Sequence, residues 1–85
     1  MSLFLVDYDL NNPGKNYDSL ISAIKSYSCA KICKSSWAIK ADSSAEQIRN
    51  HLSNHIDRND TLFVCKISDW ASWNLASEVG KWLNQ

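Results

Sequence analysis

The sequence predicts a single α+β domain in which an antiparallel sheet carries helices on one face, and three observations carry that prediction. Short β-compatible runs alternate with segments of helical spacing in the order strand, helix, two strands, helix, strand. Each helical segment opens on a polar capping signal, and the breaks between segments are short and polar. The chain has 85 residues, 45% of them hydrophobic, with only two Gly and one Pro, which is enough material for one core and too little for two.

Leu3-Phe4-Leu5-Val6 followed by Asp7-Tyr8-Asp9 reads as a central strand that ends in carboxylates. Asn11-Asn12-Pro13-Gly14 breaks it. From Tyr17, the residues Leu20, Ile21, Ile24 and Tyr27 fall at three- and four-residue steps, one face of a helix, with Asn16 placed to cap it. Lys31 to Lys34 and Trp37 to Lys40 are two β-compatible stretches around Ser35-Ser36, which predicts a tight hairpin; one long bent strand is the competing reading.

Ser43…Glu46 and Ser44…Gln47 both have the spacing of a capping box, and Ala45, Ile48, Leu52 and Ile56 mark the buried face of the helix that follows. Asp57-Arg58-Asn59-Asp60 is a polar turn, and Thr61 to Ile67 is apolar and β-branched enough for another central strand. That order is the split βαβ, ferredoxin-like plan, βαββαβ, with a core over about residues 3–67. A Trp-rich extension, 68–85, places Leu75, Val79, Trp82 and Leu83 at helical spacing and predicts a short C-terminal helix packed back on the domain.

In that plan the face without helices is open, so the expected partner is a second copy of the chain, meeting it through Leu3 and Leu5 or through Phe4 and Val6, whichever pair faces away from the helices. Trp70 and Trp73 in the extension are a candidate protein-binding element. Nine Lys/Arg balance nine Asp/Glu, which excludes a basic nucleic-acid coat and makes any nucleic-acid contact local. Three cysteines without CxxC spacing, and an amino terminus with no basic segment before an apolar stretch, point to a reducing, cytoplasmic setting. The apolar runs fall well short of the roughly 20 residues of a membrane span.

The strand ending in Tyr8-Asp9, the Lys34-Ser35-Ser36-Trp37 segment and the strand from Asp60 to Ile67, at these separations, resemble the CRISPR-associated protein 2 family and its small virulence-associated protein D relatives. The resemblance implies a ferredoxin-like dimer. It also implies that Asp9, which matches the Asp after the Tyr of the first strand, is the metal site for phosphodiester cleavage known in some members. Others are assembly scaffolds. Three departures stand out: Cys33 takes the place of the family's Gln, Asn11 to Asn16 replace an Arg-rich helix start, and the Trp-rich tail differs from the final strand that many members exchange between protomers.

Asp7 and Asp9, two apart on one strand, project to the same face, where carboxylates suit Mg²⁺. The competing reading makes them strand-end carboxylates, with Asp9 capping the Asn-rich loop. Lys31, Lys34 and Ser35 are candidates for phosphate contact and Trp37 for stacking a base, against the alternative of a hairpin turn beside a core Trp. His51 and His55 are one helical turn apart, as in paired zinc ligands, but they flank the buried face with no third ligand in view, which favours a partly exposed helix edge. The sequence therefore carries two functional readings: a dimeric Mg²⁺-dependent endonuclease acting on RNA or DNA, and a non-catalytic dimeric scaffold or toxin–antitoxin component.

Overall fold

The computed structural model describes residues 1–85 as a four-stranded antiparallel sheet with three helices. The elements run β1 (Ser2–Asp9), α1 (Asp18–Lys25), β2 (Ser28–Cys33), β3 (Ser36–Ala41), α2 (Ala45–Ser53), β4 (Thr61–Lys66) and α3 (Ser77–Leu83), and the strands lie in the order β2-β3-β1-β4. No helix is long and apolar enough to cross a membrane.

Register sorts the side chains between two faces. Phe4 opposes Ile39 and Val6 opposes Trp37 across β1 and β3, and Val6 also opposes Val64 on β4. Directly opposed residues share a face. This one meets Leu20 and Ile24 of α1 and Ile48 and Leu52 of α2 in a single cluster, with Val6, Leu20, Ile24, Ile39, Ile48 and Leu52 all at 0% exposure. The helical spacing read from the sequence is thus the stripe that closes the core.

The helix ends follow from local chemistry. Ser44 Oγ accepts the Gln47 N–H at 3.1 Å, so the second of the two capping boxes starts α2, while Ser43 Oγ turns to Gln47 Oε1 at 3.0 Å. α1 starts at Asp18, one residue later than Asn16 as N-cap implies; Tyr17 occupies the cap, and Asn16 Oδ1 accepts the Asp18 N–H at 2.7 Å. The hairpin forms, with its turn at Lys34-Ser35 and a register shift between Lys31 and Cys33 that breaks the strict alternation of β2.

Two expectations are corrected. β4 is an edge strand: β1 and β3 take the centre, and β4 keeps an exposed row in which Phe63 is 59% exposed. The face away from the helices is partly covered by the chain's own C-terminal segment. Trp82 Nε1 donates to Ser28 Oγ at 3.1 Å, and Lys40 Nζ donates to the Trp82 carbonyl at 2.6 Å while lying 4.5 Å from the Trp82 ring centroid. The physical reason lies in the small side chains on that side of β2 and β3. Ala30 opposes Ala38, which leaves room for an apolar helix edge, and Ala38 is 1% exposed although it points away from α1 and α2. Leu3 and Leu5, on the same side, are half-buried. Between sheet and tail lies a cleft of about 390 Å³ lined by Leu5, Ile32, Ala38, Ile67, Trp70 and Leu75 among others.

Candidate functional site

β1 pairs with β3 as far as Asp7 and with β4 as far as Asp9, so both neighbours hold the stretch that leads to its carboxylate end. Asp7 opposes Ser36 on β3 and Phe63 on β4, and Asp9 opposes Thr61. Both carboxylates therefore lie on the face away from α1 and α2, as alternation predicts, and roughly 7 Å of strand separates their Cα atoms. Both are exposed, and neither carboxylate takes a side-chain hydrogen bond or an ion pair. Asp9 touches the following loop only through its carbonyl oxygen, 3.5 Å from Asn11 Nδ2, so its carboxylate does not cap that loop. No three His, Cys, Asp or Glu side chains converge within the chain. A divalent cation at this end would have Asp7 and Asp9 as its protein ligands, with oxygens from water or a second copy completing its shell, which fits the habit of Mg²⁺ of using one or two carboxylates.

The hairpin turn sits beside this end. The Tyr8 N–H donates to the Ser35 carbonyl at 3.1 Å, which brings Ser35 and the exposed Lys34 next to Asp7 and Asp9. Trp37 is placed differently. Its position on β3 turns it toward Val6 and the helices, where it is 7% exposed and its Nε1 donates to the Tyr8 hydroxyl at 3.2 Å. Lys31 opposes it, with Nζ 5.8 Å from the Trp37 ring centroid. Trp37 is thus a core residue and offers no open face for a base. Lys31 belongs with it rather than with the carboxylates. The exposed aromatics are Trp73, at 90%, and Trp70, at 40%, in the tail, and Phe63, at 59%, on β4.

A polar cluster built from two breaks that look unrelated in the sequence joins the β1–α1 loop to the α2–β4 loop. Asp60 is its centre: its carboxylate accepts the N–H groups of Asn11 and Asp57, each at 2.8 Å, and the Tyr17 hydroxyl at 2.9 Å. Asn12 Nδ2 donates to Asn59 Oδ1 at 2.7 Å and Asp57 Oδ2 at 3.0 Å, and Lys15 Nζ donates to Asp57 Oδ1 at 2.7 Å. Partial burial works to raise the Asp60 pKa, but the N–H donors of Asn11 and Asp57, the Tyr17 hydroxyl and the Lys15 charge outweigh it and hold the carboxyl below its ordinary range. The Asp57 hydrogen bond, against some desolvation and with help from nearby charges, raises Lys15. Gly14 at φ +84° lets the loop turn back onto this cluster. Its donors and acceptors are spent on one another, so it latches the exit of β1 to the entry of β4. The sequence signal was there: two Asn/Asp-rich breaks flanking strands that pair.

The cysteines are free. Burial pushes the Cys29 thiol up against the opposing charge of Lys25, which suits a packing residue rather than a nucleophile. No protein-family model matches the chain, and no solved structure matches it significantly.

Proposed function

We propose that this chain is a ferredoxin-like protein of the CRISPR-associated protein 2 kind that works as a homodimer and cleaves RNA or DNA with Mg²⁺. Support for the fold reading comes from the strand order β2-β3-β1-β4 with every neighbouring pair antiparallel, the arrangement expected of two interleaved split βαβ units. The observation that carries the activity is the pair Asp7 and Asp9: two exposed carboxylates without partners, sharing one face at the end of a central strand. Mg²⁺ there would supply a nucleophilic water and offset charge on a phosphodiester. Asp9 is the principal ligand and Asp7 the second, while Lys34 and Ser35 lie close enough to that end to meet phosphate oxygens. A second copy meets the part of this face that the tail leaves free, where Phe63 stands opposite Asp7. Three unpaired cysteines fit a reducing, cytoplasmic setting.

The test is cleavage of single- and double-stranded RNA and DNA by purified protein with Mg²⁺. Asp9→Asn keeps the shape and removes the charge, so activity that EDTA stops should fall at least a hundredfold in a variant that remains folded. Equal activity, or none, in the two proteins overturns the Asp9-centred mechanism. A second reading, a non-catalytic scaffold, is favoured by Trp73, which is 90% exposed on the tail in the manner of an interface anchor. An inactive wild type whose partner binding is lost in Trp73→Ala selects that reading.

A further inference from the structure

The second candidate for metal chemistry lies on the helix side of the sheet, away from the face that carries Asp9, and it rests on nitrogen ligands rather than oxygen. His51 sits in the last turn of α2, and the His55 N–H donates to the Leu52 carbonyl at 3.0 Å, so the chain makes one further tight turn past the helix end. That turn keeps His55 beside His51: the ring centroids are 5.9 Å apart and the planes cross at 81°. Both residues are half-buried. The Tyr27 hydroxyl lies 2.7 Å from His51 Nδ1, and the two rings meet edge-on at 5.6 Å.

The Tyr27 contact distinguishes this pair from two histidines that share a helix face by chance. Ligating histidines tie their other ring nitrogen to a second group, which fixes ring orientation and tautomer. Here Nδ1 is tied, so when it donates to the Tyr27 oxygen the Nε2 lone pair is left free. The carbonyl end of α2 adds partial negative charge where a cation would sit.

We propose that His51 and His55 form a chelating site for a divalent transition ion of the Zn²⁺, Ni²⁺ and Cu²⁺ class, with Tyr27 as the positioning residue. Two imidazoles at this spacing span a metal at about 2.0–2.1 Å from each nitrogen, and water completes the shell. Imidazole selects these ions over Mg²⁺ and Ca²⁺, so the site is chemically separate from the Asp7/Asp9 pair. It closes a ring across the C-terminal end of α2 and ties that end, through Tyr27, to the residue before β2.

The experiment is a titration of the full-length, tag-free protein with Zn²⁺ and Ni²⁺, followed by the NMR resonances of the two histidine rings. Saturable shifts of both rings, reversed by EDTA and absent with Mg²⁺, are expected. His55→Ala should weaken binding at least tenfold. Tyr27→Phe should weaken it about 10–100-fold, the usual cost of losing a group that orients a ligand. Cys33→Ser should leave it unchanged, because the exposed thiol is the competing ligand. His55→Gln serves if the alanine variant is poorly folded. Ring resonances that do not move, affinity that survives His55→Ala or His55→Gln, or affinity lost with Cys33 would overturn the proposal, and unchanged affinity in Tyr27→Phe would remove Tyr27 from it.

Discussion

The two faces of the sheet are built by different rules. The face toward α1 and α2 is closed by large side chains locked from both sides: Phe4 and Ile39 from the strands, Leu20, Ile24, Ile48 and Leu52 from the helices. The face toward the tail is closed by small residues and a helix that contributes no buried side chain; it is held by Lys40 and Trp82 and leaves Leu3, Leu5 and Ile32 half-exposed. Stability is concentrated on the first face. The second, with its exposed carboxylates and loosely packed cover, is where binding and chemistry have room.

The largest effect should come from the first face. Leu52→Ala removes a fully buried side chain from the junction of α2 with the sheet and should cost about 2–5 kcal/mol in denaturant unfolding. A loss below about 1 kcal/mol would mean that the core can collapse onto the cavity and that the contrast between the faces is smaller than it looks.

Removing residues 75–85 should cost less, on the order of 2 kcal/mol, because Trp82 and Leu83 are only half-buried. The shortened chain should expose Leu3, Leu5 and Ala38 and associate more strongly, as light scattering would show. Unchanged stability and association would make the tail a free appendage.

The polar latch gives the smallest effect, and one with a defined pH window. The Asp60 carboxyl is depressed in the folded chain, so its contribution is full above the unfolded value and is lost as pH falls through the folded one. Between about pH 5 and pH 2, wild type should therefore lose more stability than Asp60→Asn, the two curves converging at the acid end. Parallel curves would show that the latch does not depend on the charge.

Local spacing made several elements legible in the sequence. Ile48 and Leu52 named the buried face of α2, Ser44-x-x-Gln47 named its start, and the apolar run at Leu3 to Val6 named the central strand. What escaped depends on register. Thr61 to Ile67 is apolar enough for a central strand, and only its pairing with β1 alone makes it an edge. Trp37 and Trp73 look alike as sequence, but one position on β3 points into the core while the tail holds the other in solvent. The Asp60 cluster joins residues more than forty positions apart, because β1 and β4 are neighbours. Asp7 and Asp9 were legible as a same-face pair because β1 is regular, whereas the register shift between Lys31 and Cys33 breaks that alternation in β2.

The assignment of chemistry to the C-terminal end of β1 is tested most directly by titrating Mg²⁺ into isotope-labelled protein and following its backbone amides. Saturable shifts should centre on Asp7, Tyr8 and Asp9, reach Ser35, Ser36 and Thr61 across the paired strands, and vanish in Asp9→Asn. Shifts centred instead on Asp57 and Asp60, or none at the end of β1 with the protein folded, would contradict it.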